Sequence, residues 1–228
     1  MSNGRRWFMR ARCFFFCILF FIGGAFLSAQ DVFNYPLSAG TQTRYAEICA
    51  ELSGRPLIKG TFEQTKTIKR LGRSLSSKGN FTISSDLGMI WDTRSPFPSI
   101  IAVGRDFIIQ TVSGGAKTKL DAQGNEIFLS LADSISAIFS GKSGILTEKF
   151  ENYFIENKDA GTWTLGLIPK DDAVRVFAEK IILAGGGAPA LIRSILIYSR
   201  NGDTINYSLG NHYFPAALDA DEKALFFL

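Results

Sequence analysis

From Ile58 to Val112 the sequence runs through five short segments with apolar faces, and no gap between them can hold a crossover helix. In the first, Ile58, Gly60, Phe62 and Gln64 share one side, while Lys59, Thr61 and Glu63 share the other. In the second, Leu75, Ser77, Gly79, Phe81 and Ile83 fall together. Leu87 to Trp91 follows the turn residues Ser84, Ser85 and Asp86. Ile100 to Val103 follows Pro96 and Pro98, and Gly104-Arg105-Asp106 turns the chain back into Phe107 to Val112. Such a meander predicts an antiparallel, strongly curved sheet.

Ahead of it, Thr41 to Ser53 reads as a short amphipathic helix with Tyr45, Ile48, Cys49 and Leu52 on one stripe, stopped by Gly54 and Pro56. After it, Lys117 to Leu120 reads as a short strand. The period then changes: Ile127, Phe128, Leu131, Ile135, Ile138 and Phe139 recur at three and four over 126–140, a helix whose opposite face carries Ser130 and Ser134 and which Gly141 closes. A second β run is expected at 150–155, 162–168, 174–183, 191–198 and 204–209, with a hairpin turn at Asn201-Gly202 and a flexible loop at Gly185-Gly186-Gly187. The apolar tail Leu225 to Leu228 is expected to pack back as an edge. The reading is mainly β: one antiparallel sheet of about ten strands and two helices, the second inserted mid-sheet with an apolar face to bury.

The first 29 residues stand apart. Arg5, Arg6, Arg10 and Arg12 precede an apolar run from Cys13 to Leu27, and Ser28-Ala29 supplies small residues for cleavage. That is the pattern of a secretory signal peptide, shorter than the roughly 20 residues a membrane span needs. An uncleaved anchor and a twin-arginine export signal, after Arg5-Arg6, are the alternatives. The chain holds 25 Lys and Arg against 21 Asp and Glu, and four of those arginines but no acid lie before residue 30. Residues 30–228 are therefore balanced, and nucleic acid is not an expected partner. Cys49 alone remains there, a buried structural thiol rather than half of a disulfide or a zinc ligand, and no cysteine ends the leader to take a lipid anchor. A soluble periplasmic domain is expected.

Phe62-Glu63-Gln64, then Gly79, Trp91 and Pro96 at steps of 17, 12 and 5 residues, resembles the LolA family of periplasmic outer-membrane lipoprotein carriers. Ser99-Ile100-Ile101, the run Trp163 to Pro169 and the hairpin around Asn201-Gly202-Asp203 are similar to that family as well. The resemblance implies an incomplete antiparallel β-barrel with helices forming a lid over a hydrophobic cavity, which takes the acyl chains of a lipoprotein. It also implies an inner-membrane release complex as donor and an outer-membrane acceptor as receiver. Two positions depart from the family: Ser85 and Asp86 stand where it carries an arginine followed by proline that is implicated in lid control, and the C-terminal strand ends early.

Moving a sixteen-carbon chain through water exposes methylenes worth about 0.8 kcal/mol each, on the order of 12 kcal/mol in total. A carrier must offset that with aliphatic and aromatic surface under a movable cover. The candidate lining is Phe62, Phe81, Ile83, Met89, Trp91, Ile101, Phe107 and Ile109, and the candidate cover is Phe128, Leu131, Ile135 and Phe139. Apolar stripes also form dry cores, and a one-residue slip in register flips every face. His212, the one histidine, reads as a packing residue beside Tyr213 and Phe214. Gly141-Lys142-Ser143 lacks the first glycine of a phosphate loop, and no nucleophile elbow is present. No catalytic residue, metal or cofactor is expected, and a monomer is. The rival readings are a carrier of glycolipid or a free fatty acyl group, and a sensor domain that binds a protein and transports nothing.

Overall fold

The computed structural model describes residues 29–104, 107–112, 115, 117–121, 134, 137–138 and 141–226. Eleven strands form one antiparallel sheet: β1 (Leu57–Ile68), β2 (Arg73–Ser84), β3 (Gly88–Ser95), β4 (Ser99–Val103), β5 (Phe107–Val112), β6 (Thr118–Asp121), β7 (Phe150–Asn157), β8 (Thr162–Pro169), β9 (Lys180–Gly186), β10 (Leu191–Tyr198) and β11 (Thr204–Tyr213). Their order is β6-β5-β4-β3-β2-β1-β11-β10-β9-β8-β7. Every neighbour in sequence is a neighbour in space except across β6 and β7, which are the two edges. The sheet is thus a barrel left open at one seam, and the chain between Asp121 and Phe150 joins the two sides of that seam.

Helix α1 (Ala39–Ser53) buries Tyr45, Ile48, Cys49 and Leu52, the stripe expected from spacing. It starts two residues earlier than the sequence suggests because Ser38 caps it: the Ser38 amide donates to Thr41 Oγ1 at 3.1 Å. Ser134, Ala137 and Ile138 are helical, as expected for that stretch, and Ala137 and Ile138 are buried in the inner cluster. Ser134 is buried too, so it does not belong to an exposed serine face. A further helix, α2 (Ser143–Lys149), follows the left-handed Gly141 (φ 60°) and was not signalled by a periodic stripe, since it buries only Leu146.

Two sequence expectations are corrected. Residues 174–179 are not strand: Asp171 accepts the Ala173 amide at 2.8 Å and starts the one-turn helix α3 (Asp172–Arg175), so β9 begins only at Lys180. Gly185 and Gly186 are not a loop but the buried end of β9, and the turn falls to Gly187 (φ 97°). The Asn201-Gly202 turn is present, with Gly202 at φ 83° and the Ser199 amide bonded to the Asp203 carbonyl.

Alternation divides the sheet into two apolar layers. The larger, inner layer joins α1, Ala137, Ile138 and Leu146 to Phe62, Phe81, Phe150, Phe154, Trp163, Leu165, Leu183, Ile195 and Leu209. The outer layer holds Leu57, Ile90, Ala102 and Ile109, covered by Leu218 and Phe226. The C-terminal segment therefore lies over a face rather than along an edge, and Leu225 and Phe226 cap outward-facing residues that would otherwise meet water. Helix α4 (Ala220–Ala224) is latched there by Glu222, which pairs with Lys59 Nζ at 2.5 Å and accepts from Thr82 Oγ1 at 3.0 Å.

Candidate functional site

On the inner face, cross-strand register sets aromatic rings side by side. Trp91 lies opposite Phe81 on β2 and Ile101 on β4, while Gln64 of β1 lies opposite Tyr207 of β11. Trp91 stacks on Phe62 with centroids 4.4 Å apart and on Phe81 at 6.0 Å, and Tyr207 meets it edge-on at 5.1 Å. Offset and edge-on pairs of this kind add about 0.5–1.5 kcal/mol each beyond the area they bury. Gly79 permits the stack: a Cβ there would run into the Asp92 carbonyl, at the point where the β2–β3 register shifts. The glycine and the tryptophan of the sequence motif thus act on one spot.

Of the candidate lining, Phe62 and Phe81 are fully buried in the inner layer, and Ile83 and Trp91 pack against it half-buried. Met89 and Ile101 are half-buried on the same side by strand alternation. Phe107 and Ile109 are corrected: both point outward, because Ile109 pairs with Ala102 and Ala102 with Ile90, which places that row under the C-terminal segment. The slip arose at the Gly104 turn, where the expected face was carried one residue too far. The candidate cover residues Phe128, Leu131, Ile135 and Phe139 lie outside the described residues. Sequence reading passed over Tyr207, Leu165, Leu183 and Ile195, although their alternation in β8 to β11 was visible.

Polar groups fix α1 over one half of this face. Tyr45 Oη donates to Asn152 Oδ1 at 2.9 Å, and Asn152 Nδ2 donates in turn to the Phe150 and Leu146 carbonyls. Arg44 pairs with Glu156 at 2.6 Å. Glu51 accepts the Ala190 amide at 2.6 Å while Arg55 donates to the Ala190 carbonyl at 2.9 Å. Burial raises the Tyr45 hydroxyl, reinforced by Cys49, and pushes the Cys49 thiol up to about 11, so both stay neutral. Two indole donors, Trp91 Nε1 and Trp163 Nε1, are buried without a hydrogen-bond acceptor among the described residues.

Between the end of α1 and strands β1, β2, β10 and β11 lies a cleft bounded by Leu52, Ile58, Phe81, Ile83, Leu209 and His212, with Arg55 beside it. Its free volume of about 20 Å³ is enough for a single water molecule. His212 sits edge-on to Phe81 at 5.6 Å. Burial lowers its pKa against a hydrogen bond to the Ile192 backbone, and the Arg193 and Arg55 charges lower it further. It packs as expected of a lone histidine. Ser85 and Asp86 occupy the exposed β2–β3 turn, where Ser85 Oγ donates to Asp86 Oδ1 at 3.1 Å. None of the described helices is long and apolar enough to cross a membrane.

No protein-family model and no curated protein matches the sequence. Several solved structures are similar. A LolA superfamily protein from Nitrosomonas europaea aligns at 9% identity over 82% of this chain and 97% of its own, with a TM-score of 0.41. A domain named for outer membrane lipoprotein sorting, from Vibrio parahaemolyticus, aligns at 12% identity over 80% of this chain and 98% of its own, with a TM-score of 0.44. MucB of Pseudomonas aeruginosa, solved in complex with MucA, aligns at 16% identity over 79% of this chain and 59% of its own, with a TM-score of 0.33.

Proposed function

We propose that the protein is a periplasmic carrier that shelters the acyl chains of lipoproteins against the inner face of its sheet and moves them from the inner to the outer membrane. An inner-membrane release complex would load it and an outer-membrane acceptor would unload it. The observation that carries the reading is the aromatic row Phe62, Trp91, Phe81 and Tyr207 on the inner face of a sheet left open at one seam. Its apolar cover arrives on the single connection between β6 and β7, through Ala137 and Ile138. Because Tyr45, Arg44 and Glu51 tie α1 down, the cover that would move to admit cargo is sought in that connection rather than in α1. The sequence spacing from Phe62 to Pro96 fits the same use.

A second reading rests on the small cleft. A cleft at the end of α1 with room for only one water molecule suits a sensor domain that binds a partner protein and carries nothing. A glycolipid or fatty acyl cargo would use the same face.

Intrinsic fluorescence separates these. Trp91 and Trp163 are the tryptophans of the described residues, and Trp91 lies on the inner face, half-buried. Titration with a triacylated lipopeptide should shift emission to the blue and saturate. Ile101→Glu, next to Trp91, should abolish the shift while the far-ultraviolet dichroism of the sheet persists. Emission that does not respond to acylated ligand in the wild type rules the carrier out.

A further inference from the structure

The tip of the β1–β2 hairpin, from Lys66 to Leu75, has the composition of a membrane contact. Residues 64–85 contain no Asp or Glu but carry Lys66, Lys69, Arg70, Arg73 and Lys78. The first four make no ion pair among the described residues. The nearest acid, Asp203, has both oxygens occupied, by the Lys69 amide and by Asn201 Nδ2. Leu71 and Leu75 stand among these cations, 55% and 58% exposed. On the β3 side the tip stands clear: β2 first meets β3 at Lys78, so residues 73–77 pair with β1 alone and carry the turn about 20 Å past β3, while on the other side β11 accompanies β1 up to the Thr67–Thr204 pair. Residues 30–228 balance as a whole, so outside 64–85 acids exceed bases, and this concentration of positive charge is local rather than a property of the whole surface.

We propose that this hairpin tip docks on an anionic phospholipid bilayer, with its cations over the headgroup phosphates and Leu71 and Leu75 sunk into the boundary beneath them. Leu71 and Leu75 are more than half exposed and stand among cations, which suits a headgroup boundary. The four unpaired cations supply the complementary charge. This goes beyond the carrier reading and holds equally for a sensor.

The test is flotation of the exported chain with vesicles of phosphatidylcholine alone and of phosphatidylcholine mixed with phosphatidylglycerol. Binding is expected to the mixed vesicles only, and to weaken as salt screens the headgroups. Each cation near such a surface is worth about fivefold in partition, so R70Q combined with R73Q should lower binding about 25-fold. L71S combined with L75S should lower it at least tenfold, as loss of a buried leucine would. Both pairs are exposed, and unchanged dichroism checks that the variants fold. Equal binding to the two vesicle types, or either double variant binding like the wild type, overturns the proposal. Binding to neither vesicle overturns it as well, and points to an acidic protein surface instead.

Discussion

At Gly185 a methyl group has nowhere to go. A Cβ built on this buried residue would overlap the Leu191 carbonyl and the Trp163 ring, so the end of β9 closes on bare backbone. Gly185→Ala should cost about 1–3 kcal/mol, the usual range for overpacking a filled core. It should appear as a lower urea midpoint at unchanged slope. A midpoint equal to that of the wild type would mean the inner layer is looser at Trp163 than the contacts imply. The same residue marks a limit of sequence reading. Three consecutive glycines predict a loop from their conformational freedom alone. Only the ring brought in from β8 reveals that two of them are strand positions needing a small residue.

Among the elements, α1 and the C-terminal segment hold opposite faces by different means. The first relies on a buried stripe plus buried hydrogen bonds, the second on Leu218, Leu225 and Phe226 and on Lys59, which pairs with both Glu222 and Asp219. Burial alone would lower the Lys59 pKa, but its hydrogen bond to Glu222 and the neighbouring acids raise the net value above the usual lysine range. A raised lysine pKa contributes stability that is complete below the unfolded value near 10.4 and is lost as pH climbs through the folded one. Hydrogen exchange in residues 218–226 should therefore be flat from pH 6 to about 9, after correction for intrinsic rates, and accelerate above about 10. Glu222→Gln leaves the largely buried Lys59 ammonium only the more distant Asp219, at 3.7 Å, and should cost about 1–3 kcal/mol, opening this segment first. Exchange that ignores both changes would show that apolar contact alone holds α4. Strand positions were readable because alternation is a local signal, and α1 because its stripe is complete. The turn helix at Asp172 and the outward facing of Phe107 and Ile109 were not, since each depends on a single turn whose geometry is set by its neighbours.

In the whole molecule, the pairing of β1 with β11 places the first and last strands at the centre and leaves β6 and β7 as the edges of one seam. No local pattern announces that long-range closure. The motif from Phe62 to Pro96 hinted at it only through resemblance. The chain that spans the seam is also the one delivering Ala137 and Ile138 to the inner layer. The direct measurement is native mass spectrometry of the exported protein purified from its own envelope. The carrier account predicts a stoichiometric acyl-bearing adduct that delipidation removes and that Ile101→Glu fails to retain. A lipid-free protein recovered with a stoichiometric protein partner would contradict it and establish the sensor in its place.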